Sequence, residues 1–256
     1  MKIVFHKTYY NSSYAIDPAA SPGRLEGVMN LIINNKDYEI IIPEPATEED
    51  ILRAHTDRHL GQIKKDNLLF ELAALASGGS ILAAEQAYEE NPCFAVIRPP
   101  GHHSSSNSCW GFCYFNNMSI SLLKLFSDKK INSAFILDFD LHFGDGNVNI
   151  LTNRSDKFRV KILNPDSRDR PNYLKEVENF MNQLNNIDIF AASAGFDQGI
   201  EDWGHFLYLE DYYELGNLMK IYSEKLCNGR RFALLEGGYN HEELPKNVES
   251  FCKGFQ

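Results

Sequence analysis

Asp138, Asp140 and His142 alternate with Phe139 and Leu141. On an extended strand end such alternation sends all three ionisable side chains to one face. Two carboxylates buried side by side are strongly destabilising unless a cation neutralises them, and an Asp/His set suits a divalent metal that leans towards oxygen donors. The alternative for this segment is a cluster that caps a helix on a solvated loop. Asp197, closing Ser193-Ala194-Gly195-Phe196-Asp197, would complete a three-ligand site with a position left open for water. His102 and His103 end the segment Arg98-Pro99-Pro100-Gly101-His102-His103. A metal hydrolase needs a base beside its water, and neutral imidazole has a suitable pKa, although paired histidines also serve as packed or capping residues. Asp138 and Asp145 are nearby carboxylates that could orient those rings or cap a turn. In Glu236-Gly237-Gly238-Tyr239 a phenol follows two glycines. There it could donate to a developing oxyanion if a metal is present, or pack in a core if not.

Each of these groups stands just after a short apolar, β-branched run. Such runs, at residues 2–5, 38–42, 94–97, 134–138, 158–163, 187–192 and 232–235, read as buried strands. Amphipathic segments at 24–34, 70–90, 116–127, 173–184, 210–227 and 242–253 read as helices. The alternation gives βαβ units, and continuous apolar strands imply burial on both faces. The expected architecture is a single α/β domain, a parallel sheet sandwiched between helices. In such sheets ligands bind beyond the carboxyl ends of the strands, where the polar residues collect here.

The chain has 256 residues, 43% of them hydrophobic, which suits one core. Lys and Arg total 25 against 35 Asp and Glu, a net charge of -10, so the molecular field repels phosphate backbones and argues against direct nucleic-acid binding. No uninterrupted apolar run reaches the roughly 18 residues of a membrane span, and the first residues turn polar too early for a secretory leader. A cytoplasmic location without membrane association is the expectation. Five cysteines without a CxxC pair fit reduced thiols. Competing chemistries are thinly supported. His103, Cys109 and Cys113 lack the second Cys/His pair of a zinc knuckle, and Trp110 between them reads as packing. No G-x-S-x-G elbow accompanies Ser104, Ser105 and Ser106. Ser77-Gly78-Gly79-Ser80 interrupts a helical stretch and lacks a P-loop lysine.

Together the segments 98–103, Gly111-Phe112-Cys113-Tyr114-Phe115-Asn116-Asn117, 138–146, 193–197 and Glu236-Gly237-Gly238-Tyr239-Asn240 resemble the histone deacetylase and acetylpolyamine amidohydrolase family, nearer its class II and prokaryotic members. The resemblance implies the arginase-deacetylase fold and a Zn2+ site, with Fe2+ as the alternative, at Asp140, His142 and Asp197. It makes His102 and His103 the tandem catalytic histidines, with Asp138 and Asp145 as their respective partners. Tyr239 would polarise the acyl carbonyl and His103 would deprotonate water. Gly111 and Phe112 would line an acyl-lysine channel, with Gly238 and Arg24 among the substrate-binding residues and Arg24 of Pro22-Gly23-Arg24 lying in an internal cavity below the metal.

Three departures stand out. Phe143 occupies the place of a second histidine, and Ile162-Leu163-Asn164 replaces a Ser-Leu-His-type segment. The second change leaves open the K+ that the resemblance puts near Asp138, Asp140 and His142. Loops at 104–108 and 164–172 are compact. The expected activity is removal of acetyl or a similar small acyl group from an acylated lysine or polyamine; the alternative is a non-catalytic acyl-lysine binding module. A ureohydrolase would need a second Asp/His cluster. The position where relatives narrow the channel corresponds to Gly204, which leaves Glu201, Asp202 and Trp203 as an expected cation-attracting rim. Oligomeric state is not specified by the sequence.

Overall fold

In the computed structural model, which describes residues 1–89, 92–152, 154 and 157–256, each of the seven apolar runs overlaps a strand. These are β1 (Lys2–Val4), β2 (Glu39–Ile41), β3 (Cys93–Ala95), β4 (Ser133–Asp138), β5 (Arg159–Leu163), β6 (Ile189–Ala194) and β7 (Arg231–Leu235). They form one sheet in the order β2-β1-β3-β7-β6-β4-β5, with every pairing parallel. The single α/β domain with helices flanking a parallel sheet is therefore as expected. Strands β3, β4, β6 and β7 are buried along their whole length. Burial on both faces fails at the edges: β2 has Glu39 and Ile40 exposed, and β5 alternates exposed with half-buried residues before Leu163. Edge strands have one open side, and apolar content alone does not reveal which runs lie there.

The expected helices appear as α1 (Glu26–Ile33), α4 (Asn67–Glu89), α5 (Asn117–Ser127), α7 (Arg170–Asn182), α8 (Leu209–Cys227) and α9 (Leu244–Phe255). The expected end at Glu90 lies outside the described residues. Three short helices were not anticipated: α2 (Glu48–Leu52), α3 (Asp57–Ile63) and α6 (Asp145–Leu151). Thr47 and Asp50 form a capping box at α2, and Thr56 caps α3, so their signal lies in end residues rather than in apolar periodicity.

Ser77-Gly78-Gly79-Ser80 does not interrupt α4, which runs through it. A Cβ on Gly78 would collide with the Glu44 carbonyl and lie 2.8 Å from the Ala46 nitrogen. The glycine serves close approach of the 44–46 segment to the helix. At 23 residues α4 is also long and apolar enough, by length and average composition, to cross a bilayer, although Glu71, Ser77 and Ser80 interrupt its apolar run. Here its Ala-rich middle is buried, and it packs against β1, β3, β7 and α5.

Beneath the carboxyl ends of the central strands Phe139, Phe196, Tyr212 and Phe251 form one aromatic cluster with ring separations of 5.1 to 6.2 Å. This apolar floor fixes the strand ends from which the polar groups project.

Candidate active site

β4 ends at Asp138, so Asp140 and His142 lie on the bend that follows, not on a continued strand. Local hydrogen bonds shape that bend. The Asp140 amide lies 3.4 Å from Asp138 Oδ1, and the His142 amide donates to Asp140 Oδ1 at 2.9 Å. Such side-chain-to-backbone bonds compete with the strand ladder and turn the chain. The Gly237 amide, beyond β7, donates to Asp140 Oδ2 at 2.9 Å, and the Leu141 amide to Asp197 Oδ1 at 2.9 Å.

Asp140, His142 and Asp197 converge, with one potential ligand atom from each inside a 4.8 Å circle. His142 Nδ1 lies 3.2 Å from both Asp140 Oδ1 and Asp197 Oδ2. Asp197 is fully buried, and its Oδ2 has no hydrogen-bond partner. The electrostatics are those of a site waiting for positive charge. The adjacent carboxylate of Asp140 and then that of Asp197 push His142 up to about 10. Burial, and then Asp140, push Asp197 up to about 7. An orphaned buried carboxylate oxygen beside an imidazole and a second carboxylate fits a divalent cation.

The catalytic candidates surround this triad. His102 Nδ1 is 3.2 Å from Asp138 Oδ2, and His103 Nδ1 is 2.7 Å from Asp145 Oδ1, the latter at the start of α6. The two imidazoles pack at 3.9 Å yet differ in charge preference. Burial would lower His102, but Asp140 and Asp138 outweigh it and hold it well above its ordinary value. Burial, and then the neighbouring His102, push His103 down to about 4. His103 is thus neutral at pH 7, with Nδ1–H directed to Asp145 and a lone pair on Nε2.

Tyr239 follows Gly238, whose φ of +117° only glycine adopts readily. A neighbouring cavity of about 250 Å3 is lined by His102, His103, Gly111, Phe112, Gly237 and Tyr239, among others. Phe112 itself has φ +65° and meets the Tyr239 ring edge-on at 5.8 Å. Gly238, expected at the substrate, instead faces Leu244 and Phe196, and Gly237 takes its place in the wall. Arg24 does not line that cavity. Fully buried, it donates to the Gly238 carbonyl at 2.8 Å and the Glu236 carbonyl at 2.5 Å, with its guanidinium 5.5 Å from the Tyr239 ring centroid. It braces the loop that carries the phenol.

The expected acidic rim is corrected at Asp202, whereas Glu201 is exposed. Asp202 is buried, and its Oδ2 accepts the amides of Tyr239 and Asn240, each at 2.7 Å; it fixes a turn and faces no solvent. Gly204 is no open gate, because a Cβ there would lie 2.7 Å from the Gln198 Cα. Trp203 is the residue of that segment at the mouth, 47% exposed and stacked 4.1 Å from Tyr239. Near the K+ position Ile162 contributes no oxygen-bearing side chain, and Asn164 Oδ1 accepts the Gly144 amide at 2.8 Å. Phe143 is exposed.

Three partners escaped the sequence reading. Glu236 Oε2 accepts the Gly101 amide at 2.7 Å and holds the histidine loop. Asn147 donates to Asp138 at 3.2 Å and to Ser193 at 3.0 Å. Trp110, read as packing, is half exposed beside His103. Glu236 sat inside a motif already noted, whereas nothing in the sequence marked Asn147 or Trp110. His102, Cys113 and Glu236 also cluster, but His102 is committed to Asp138 and Glu236 to backbone amides.

The sequence profile of the histone deacetylase domain matches residues 66–168. A protein of Archaeoglobus fulgidus described as a probable deacetylase is 30% identical over an alignment covering 94% of this chain and 81% of that protein. A histone deacetylase-like amidohydrolase of Pseudomonas aeruginosa is 29% identical over 78% of this chain and 66% of its own length. The chain spans about half of a probable deacetylase of Methanothermobacter thermautotrophicus, at 53% of its length. In three dimensions the chain is similar to the crystal structure of the HDA15 HD domain, with a TM-score of 0.84 over 99% of this chain and 88% of that one at 18% identity.

Proposed function

Because the chain belongs to the histone deacetylase family, we propose that it is a metal-dependent amidohydrolase that removes acetyl or a similarly small acyl group from an acylated lysine or polyamine. The observation that carries this reading is the convergence of Asp140, His142 and Asp197, with His142 also lining the cavity that His102, His103 and Tyr239 line. Asp140, His142 and Asp197 would hold the ion, Zn2+ with Fe2+ as the alternative. When bound, such an ion supplies Lewis acidity to the carbonyl and makes a nearby water more acidic.

The chain's own groups do the rest. His103 Nε2 accepts a proton from water as the water oxygen forms a bond to the acyl carbon, while His103 keeps its Nδ1 proton and donates it in a hydrogen bond to Asp145, which fixes the ring. Tyr239 donates its hydroxyl hydrogen to the developing oxyanion; burial raises its pKa, which keeps it protonated. As the C–N bond breaks, a protonated imidazole of the pair delivers a proton to the leaving nitrogen. Phe112 and Trp203 narrow the entrance and limit water around the amide.

Measuring kcat/KM for acetyl-lysine peptides, acetylated diamines and N-acetylated amino acids tests the reading. Turnover of at least one acylated amine is expected. Binding of acetyl-lysine without any turnover would replace it with the non-catalytic module.

A further inference from the structure

The chain has two tryptophans, and both line the cavity that contains His103 and Tyr239. Trp110 is 53% exposed, so burial of its indole does not account for its position. Its polar contacts do. Nε1–H donates to both oxygens of Asp145, at 3.2 Å to Oδ1 and 3.0 Å to Oδ2, while the indole lies 3.8 Å from the His103 ring at 31°. Asp145 Oδ1 is at the same time 2.7 Å from His103 Nδ1. Three side chains therefore close a triangle, in which a single indole binds the carboxylate through its N–H and covers the imidazole that this carboxylate orients.

Asp145 needs such a partner. Its side chain is 35% exposed, and a carboxylate that accessible exchanges readily between water and the imidazole. An N–H donor reaching both oxygens holds it in one rotamer. On the His103 side, His102 packs at 3.9 Å, so the indole adds a second ring against the same imidazole. Trp203, by contrast, stacks on Tyr239.

We propose that Trp110 is a positioning residue for the deacylation reaction, holding the Asp145–His103 pair in line through an N–H shared between both Asp145 oxygens and a ring-on-ring contact with His103. The proposal rests on the amidohydrolase reading. It assigns Trp110 no contact with the substrate; the indole acts through Asp145 and the His103 ring.

Trp110→Phe keeps a ring over His103 and deletes the N–H. It should lower kcat by about 10- to 100-fold, the usual loss when an outer partner of a catalytic group is removed, and leave KM within about twofold. In an Asp145→Ala background, which removes both acceptor oxygens, the same substitution should cost less than about twofold more, because both changes break the same contact. An unchanged kcat in Trp110→Phe, or losses that multiply in the double variant, would overturn the proposal. A readout without turnover separates this from the parent reading. With Trp203→Phe leaving Trp110 as the sole indole, Asp145→Ala should shift the fluorescence emission, and an unchanged emission overturns the proposal whether or not the enzyme is active. Absence of turnover in the wild-type protein on every acylated amine, with the emission shift present, would instead defeat the amidohydrolase reading and leave the Trp110–Asp145 contact standing.

Discussion

Asp197 Oδ2 is a buried carboxylate oxygen with no hydrogen-bond partner, next to Asp140, which is also buried. Two such charges destabilise the folded chain by several kcal/mol each unless neutralised, which is why the residue pattern alone could point to a cation. The carbonyl-polarising role given to Tyr239 is separable from that charge. Tyr239→Phe should reduce turnover by about 10²-fold or more, since one lost oxyanion donor typically costs about 2.7–4 kcal/mol, with metal content unchanged by elemental analysis. Wild-type-like turnover in that variant would return Tyr239 to packing. At this scale the sequence exposed the residues whose chemistry is costly to bury. It hid Asp202 and Gly238, whose roles depend on how turns close: Asp202 accepts two amides from a loop 37 residues away, a relation no local pattern encodes.

Helices α2 and α3 do work that their shortness conceals. His55, between them, has Nδ1 3.1 Å from the Ser105 carbonyl and accepts the Asn116 amide on Nε2 at 2.8 Å; His59 packs on it at 4.8 Å. Accepting an amide requires an unprotonated Nε2, so His55 is neutral and ties the loop after His102 and His103 to the loop before α5. Burial, and then His59, push it down to about 3 from its ordinary 6.5. With the folded pKa below the unfolded one, the unfolded chain binds more protons between these values. Stability is therefore full above about pH 6.5 and is lost as pH falls towards 3, by up to about 1.4 kcal/mol per pH unit from this group. Denaturant unfolding from pH 7 to 4 should give His55→Asn a lower stability at pH 7 and a shallower acid loss than wild type; equal slopes would contradict this account. Gly78→Ala should likewise lower the midpoint of thermal unfolding. The collision with the Glu44 carbonyl costs about 1–3 kcal/mol as overpacking, against about 1 kcal/mol gained in helix propensity. An unchanged or higher midpoint would show that the 44–46 segment yields. Long periodic segments such as α8 were legible because many residues vote for one period; α2, α3 and α6 have five to seven residues and too few votes.

Across the whole molecule, seven parallel strands deliver their carboxyl ends to one edge, and β3, β4, β6 and β7 each lead into a segment of the candidate site. This much was readable from the order of apolar runs and the polar residues that follow each. The lateral order of strands was not, because parallel crossovers leave no turn signature in the chain, so the exposed edges at β2 and β5 emerged only in three dimensions. The central claim joins the scales: the sheet gathers Asp140, His142 and Asp197 to hold a divalent ion needed for amide hydrolysis. It is tested most directly by following hydrolysis of a fluorogenic acetyl-lysine amide by chelator-treated protein as Zn2+ is added back. Activity should be at background without metal and should recover fully at about one ion per chain, whereas Asp197→Ala should not recover. Hydrolysis that persists undiminished after complete metal removal, or recovers equally in Asp197→Ala, would contradict it.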